Sequence, residues 1–275
     1  MLLTKVVALS LSFASVWAAP SPPPQSSEVL EVENAFTASK TAPKFKSLKA
    51  SAAIEVYWHV VSKNSSVAGG NILDSQIAAQ ITILNEAYST TGLSFSLAGV
   101  DRVVNATWFN KVTDGTREQT EMKRALRKGG AYDLNVYSSG FVEDPRRLLG
   151  YATWPWDYAA NPQNDGVVIH SGTVPGGDNA PYNLGHTLTH EAGHWVGLLH
   201  TFQGGCNGAG DQVADTPPEA RPAFGCEVGR DTCTADRLPD PVHNFMDYSD
   251  DSCMTEFTAG QAARLTAAIA TYRTQ

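Results

Sequence analysis

The run Leu188–Phe202, LTHEAGHWVGLLHTF, sets His190, Glu191, His194, Gly197 and His200 in the spacing H-E-x-x-H-x-x-G-x-x-H. On a helix, His190 and His194 leave one face a turn apart and can share a metal ion. His200 would lie ~15 Å from His190 along a straight helix, out of reach of that ion. The helix must therefore end between them. Gly197 is placed to end it, because glycine enters positive φ without steric cost. The chain can then turn back and deliver His200 as the third ligand. Three nitrogen donors and an open fourth position are what a catalytic zinc ion needs. Glu191 points off the histidine stripe, where a carboxylate can take a proton from a water acidified by the metal. His186 continues the stripe but lies ~12 Å from His194, too far to bind the same ion. It is expected as a first-turn helix residue or as a group bracing a ligand. His59, His170 and His243 have no partner at ligand spacing and are expected to be structural.

The start of the chain predicts export. Met1–Lys5 is a short basic start, Val6–Trp17 an apolar run, and Ala18 closes a cleavage site, so residues 1–18 read as a signal peptide. The apolar run is too short to span a bilayer, and no second run of 18 apolar residues follows. Residues 19–48, Pro- and Ser-rich at first, read as a flexible or pro-segment. That segment has no cysteine and cannot silence a metal through a thiolate. Asn64 and Asn105 begin glycosylation sequons. Cys206, Cys226, Cys233 and Cys253 lie within 48 residues and predict two disulfides, with all three pairings open. No pair has the C-x2-C spacing of a thiolate zinc site.

With 20 Lys+Arg against 28 Asp+Glu, the net charge of −8 argues against nucleic acid or an anionic membrane as partner. A hydrophobic content of 42% is enough for one catalytic domain over residues 49–275, expected as a released monomer. Its first half alternates strands and helices and implies a twisted, largely parallel sheet. Strands are expected over 54–61, 93–104, 134–137, 149–154 and 166–169. Asp74 is expected to cap a helix bearing Ile77, Ile81, Leu84 and Tyr88. A second helix over 116–128 should turn Met122, Ala125 and Leu126 inward. From 198 to 275 the chain is loop-rich and disulfide-stapled until a final helix over 261–272. A Ser-His-Asp hydrolase is excluded for want of a G-x-S-x-G elbow.

Beyond the zinc signature comes His243-Asn244-Phe245-Met246-Asp247-Tyr248. The signature followed by this Met-containing turn resembles the metzincin zinc metalloproteases. In detail it is similar to their pappalysin family, in particular secreted fungal extracellular metalloproteases. The resemblance runs from about Ile54 to the C-terminus. It implies a metzincin-type catalytic domain of mixed α/β class, whose mostly parallel sheet carries an antiparallel edge strand at Leu149–Trp154 that accepts an extended peptide. It also implies Met246 as the floor beneath the metal and Tyr248 as stabiliser of the oxyanion. The pairing it implies is Cys206–Cys233 and Cys226–Cys253, and it suggests structural calcium at Asp211, Asp215 and Thr216. The activity implied is that of a secreted endopeptidase with one zinc ion per chain, acting on protein or peptide substrates. The alternative is a catalytically silent secreted zinc-binding protein, against which the intact Glu191 argues.

Overall fold

Strand β1 (Ile54–Ser62) is β-branched or aromatic at most positions and buried at all but Glu55 and the half-buried Tyr57, as a central strand must be. It anchors the computed structural model, which describes Phe36 and residues 53–273. The other strands are β2 (Phe95–Val104), β3 (Leu134–Ser139), β4 (Gly150–Ala152) and β5 (Val167–His170). Their order is β2-β1-β3-β5-β4, with every pairing parallel except that of β4 against β5. The mostly parallel sheet with one antiparallel edge strand is therefore as expected, although that strand is only three residues long.

Side chains alternate across the sheet with the period of two that a strand imposes. Val56, Trp58, Val60, Val136 and Ile169 face the main core, where they meet helices α1 (Asp74–Ala87) and α4 (His186–Trp195). Val61, Tyr137 and Val168 face the opposite side, against α2 (Ala106–Lys111) and α3 (Arg117–Leu126). Several local expectations need correction. The N-cap of α1 is Leu73, whose N–H is held by Gln76 Oε1 at 3.0 Å, and Asp74 is the first helical residue, paired with Arg102. Helix α2 has no clear sequence signature, and Asn105 caps it by accepting from the Trp108 N–H at 3.0 Å. In α3, Ala125 is exposed, and Gln119 and Lys123 join Met122 on the buried face. The buried Lys123 amine donates to the Asn164 carbonyl at 2.7 Å, which makes that reversal tolerable.

Between Trp195 and Ala259 the described chain has no helix or strand beyond an isolated Asn244–Glu256 bridge. The disulfides that hold it are Cys206–Cys233 and Cys226–Cys253, as the resemblance implied. Arg230, with a largely covered side chain, adds ion pairs to Glu219 at 2.5 Å and Asp240 at 3.4 Å. Helix α5 (Ala259–Tyr272) starts at a reciprocal cap between Thr258 and Gln261. This half has a small cluster of its own, Ala223, Val242 and Cys253, while Phe245, Met246, Phe257, Leu265 and Ile269 pack into the cluster that covers the sheet. No described helix is long and apolar enough to cross a membrane.

Arg273 closes the structure. Fully buried, it pairs with Asp165 at 3.1 Å, stacks 3.5 Å over the Trp195 ring and donates to the carbonyls of Trp195 and Ala131, each at 3.0 Å. Asp165 also accepts from the Trp195 indole and from Thr153, both at 3.1 Å. One residue thus ties the end of α4 to the segments around β4 and β5. Removing one partner of a buried ion pair leaves the other charge uncompensated. Arg273→Ala is therefore expected to cost about 3–5 kcal/mol in urea denaturation. Arg117→Ala, which breaks only the exposed i,i+4 pair with Glu121, should leave the urea midpoint essentially unchanged.

Candidate metal centre

Helix α4 runs out at Trp195, and Gly197 follows at φ +98°, a conformation open to glycine and costly for other residues. The Leu198 N–H reaches back to the Gly193 carbonyl at 2.9 Å and closes the turn. Helix α5 presses on it from outside. A Cβ at Gly197 would stand 2.9 Å from the Ala268 Cβ, and Arg264 Nε donates to the Gly197 carbonyl at 2.9 Å.

This reversal brings His200 to the other two histidines. The Nε2 of His194 lies 3.1 Å from that of His190 and 3.0 Å from that of His200. Ligands at 2.0–2.1 Å around a tetrahedral ion stand about 3.3 Å apart, so the spacing is close to that of a zinc shell. The outer nitrogens set the tautomers. His190 Nδ1 donates to the Phe245 carbonyl at 2.7 Å and His194 Nδ1 to the Leu198 carbonyl at 2.8 Å, because a carbonyl can only accept. Their Nε2 lone pairs therefore point at one another, an arrangement that a cation at the focus makes favourable. Burial holds the imidazoles neutral, pulling His190 down to about 4, His194 to about 3 and His200 well below its usual value. The residues present fit zinc.

The side chains around this triad occupy defined places. Glu191 leans against β4: a Cβ at Gly150 would stand 2.8 Å from its Cγ, and burial pushes its carboxyl up to about 8. Met246 is fully buried, with its sulfur in the space a side chain at Gly193 would need. The Tyr248 hydroxyl is 3.1 Å from His200 Nε2. Phe202, which sequence reasoning missed, stacks on His200 at 4.6 Å and meets Tyr248 edge-on at 4.9 Å. An aromatic two residues beyond the last histidine was the available signal. Trp154 stands edge-on to His194 at 5.1 Å.

Other predicted residues lie outside the triad. His186 is the first residue of α4 and packs on Phe245 at 5.0 Å. His59 is held by Asp101 and Asn135 at 3.0 and 2.9 Å, and His243 by the Cys253 carbonyl at 2.7 Å. Of the three residues expected around calcium, Asp211 and Thr216 meet, while Asp215 is engaged elsewhere. Asp211 accepts from Thr216 Oγ1 at 2.8 Å and from the Val213 N–H at 3.0 Å, whereas Asp215 turns away to accept from Thr258 and Gly260 at the start of α5. Asn64 is exposed, its side-chain oxygen accepting from Ser66 Oγ at 2.7 Å.

Asp251 is a second residue that sequence reasoning missed. It is buried beyond the Met246 turn, where its carboxylate accepts from the N–H groups of Leu184 at 2.7 Å and His186 at 3.4 Å and so caps α4. The acid thus meets the positive end of the helix that carries the first two ligands.

Comparison with known proteins places these features in a family. Residues 131–270 match the peptidase family described as pregnancy-associated plasma protein-A. An extracellular metalloprotease of Sordaria macrospora is 45% identical over 249 residues, covering 90% of this chain and 83% of the relative. Extracellular metalloprotease 1 of Coccidioides posadasii is 43% identical over 273 residues, covering 94% and 95%. Mature mirolysin of Tannerella forsythia, solved in complex with a cleaved peptide, superposes with a TM-score of 0.65 at 31% identity, covering 78% of this chain and 91% of that one.

The cap at Asp251 predicts a pH-dependent loss. Asp251→Ala should cost about 1–2 kcal/mol. Burial raises the Asp251 carboxyl to about 6, so its proton-linked contribution is fully present below the unfolded value of about 3.9 and is lost as pH rises through 6. The penalty, measured as a difference from wild type, is expected to be larger at pH 4.5 than at pH 7.5.

Proposed function

The chain belongs to the pappalysin family of metzincin zinc metallopeptidases, and from that membership we propose that it is a secreted endopeptidase with Glu191 as general base. The observation that carries this reading is the convergence of three imidazole Nε2 atoms beside the Tyr248 hydroxyl and a buried carboxylate. One zinc ion held by His190, His194 and His200 would supply Lewis acidity, acidifying water and polarising the scissile carbonyl.

The remaining roles fall to the chain itself. Among the described residues strand β4 pairs on one side only, with β5, so its other edge can take an extended substrate as an added strand. Burial alone would keep Glu191 protonated, but a cation held by the neighbouring histidines would favour its ionised form, and so Glu191, facing that strand, takes a proton from the attacking water and passes it to the leaving amine. The Tyr248 hydroxyl donates to the developing oxyanion. Burial raises its pKa and keeps it protonated for that task. Met246 packs under the triad as an apolar floor. Residues 1–18 act as the signal peptide, 49–275 as the catalytic unit, and Asn64 and Asn105 as glycan acceptors on a monomeric enzyme.

The decisive comparison is hydrolysis of casein by wild type and by Glu191→Gln, each with its zinc quantified. Wild type should cleave, the variant should lose at least about 10²-fold in kcat, and both should hold one zinc ion. Zinc-loaded wild type that cleaves nothing after removal of the N-terminal segment would overturn the reading.

Calcium at Asp211 is the remaining part of the proposal, since burial holds that carboxyl at about 7 and a bound cation would favour its ionised form. Added calcium chloride should raise the Tm of the zinc-loaded enzyme and leave Asp211→Asn unmoved. An unchanged wild-type Tm removes calcium from the reading.

A further inference from the structure

Phe36 lies in the segment expected to be separate from the catalytic domain, yet only 2% of it is exposed. Its ring is 5.7 Å from that of Tyr272, in the last turn of α5. The Arg264 guanidinium, eight residues earlier and on the same side of that helix, stands 5.3 Å over it. From there a run of rings leads inward. Tyr272 meets Trp156 edge-on at 6.2 Å, Trp156 stacks on Trp154 at 4.8 Å, and Trp154 stands against His194 at 5.1 Å. Arg264 also supports the Gly197 turn through its carbonyl. Of the residues that receive Phe36, Arg264 is thus one contact from the turn that delivers His200, and Tyr272 is three ring contacts from His194.

We propose that α5 carries a docking site for the N-terminal segment of this same chain. Phe36 is its anchor, set between Tyr272 and Arg264, and its seating braces the ring run against His194. Phe36 is held by an aromatic–cation clamp outside the metal centre, which suits an N-terminal sequence that offers no thiolate to the metal. A buried phenylalanine is enough for this, since burying such a ring shifts an open–closed equilibrium about ten- to a hundredfold.

The test uses the full chain in the Glu191→Gln background, so that only added protease cuts, and it does not require the enzyme to be active. Chymotrypsin reads the anchor directly, because the Phe36–Thr37 bond is cut only when Phe36 leaves its seat. Cleavage there, referred to cleavage after Phe45, should rise about ten- to a hundredfold in Tyr272→Ala, at a temperature where both proteins are folded. Phe36→Ala should speed the loss of zinc to a chelator several-fold, and Phe36→Trp should restore it. Equal cleavage after Phe36 in wild type and Tyr272→Ala would overturn the docking site. Unchanged zinc loss in Phe36→Ala would overturn the bracing.

Discussion

Three imidazole lone pairs must meet at one point, and nearly every unusual feature of this chain serves that requirement. Nitrogen lone pairs repel when they converge without a cation, so their arrangement has to be imposed from outside. Two backbone carbonyls impose it, Phe245 on His190 and Leu198 on His194, and each comes from a turn with its own support. The Leu198 turn exists because Gly197 breaks the helix and α5 presses on the break. The Phe245 turn exists because Asn244 is pinned by Gln261 of α5, at 2.8 and 2.9 Å, and by its bridge to Glu256. The loop-rich half of the molecule is therefore the scaffold of the ligands as much as the sheet is.

That scaffold has little secondary structure, and its rigidity comes from elsewhere. Two disulfides, the Arg230 cluster and the caps on α4 and α5 replace the hydrogen-bond ladders that hold the sheet. Asp251 shows how closely the halves are joined. It lies two residues before Cys253, and so the disulfide that fixes the turn also fixes the cap of the helix bearing His190 and His194. Arg273 does the same at the other end of that helix, through the Trp195 carbonyl and ring.

The ligands were legible in the sequence because their relation is local. Four residues on a helix is a distance, and a glycine before the third histidine is a direction. The strands were legible for the same reason, since β-branched runs declare themselves within eight residues. Relations across long separations left no such trace. Asp251 reads as one acid among several in Asp247-Tyr248-Ser249-Asp250-Asp251, and only the folded chain brings it to Leu184. Arg273 reads as a charge at a chain end, and Phe36 as part of a polar tail. Periodicity misled in α3, where Ala125 fits the apolar stripe but Lys123 takes the buried face because the Asn164 carbonyl lies within its reach. An amphipathic pattern ranks side chains by their solubility and cannot see a distant acceptor.

The brevity of β4 carries a consequence for the protein in concentrated solution. An open sheet edge is a template for any passing strand, including the same edge of another copy. Three residues, Gly150–Ala152, present only a short row of backbone groups, too few to hold two molecules together edge to edge without help. On the proposed reading, a peptide laid on that row would have more to grip, because Trp154 and, 5.1 Å from it, His194 lie close by. On that reading the strand would align a guest that other residues also hold, while its three residues offer little to a second copy of itself.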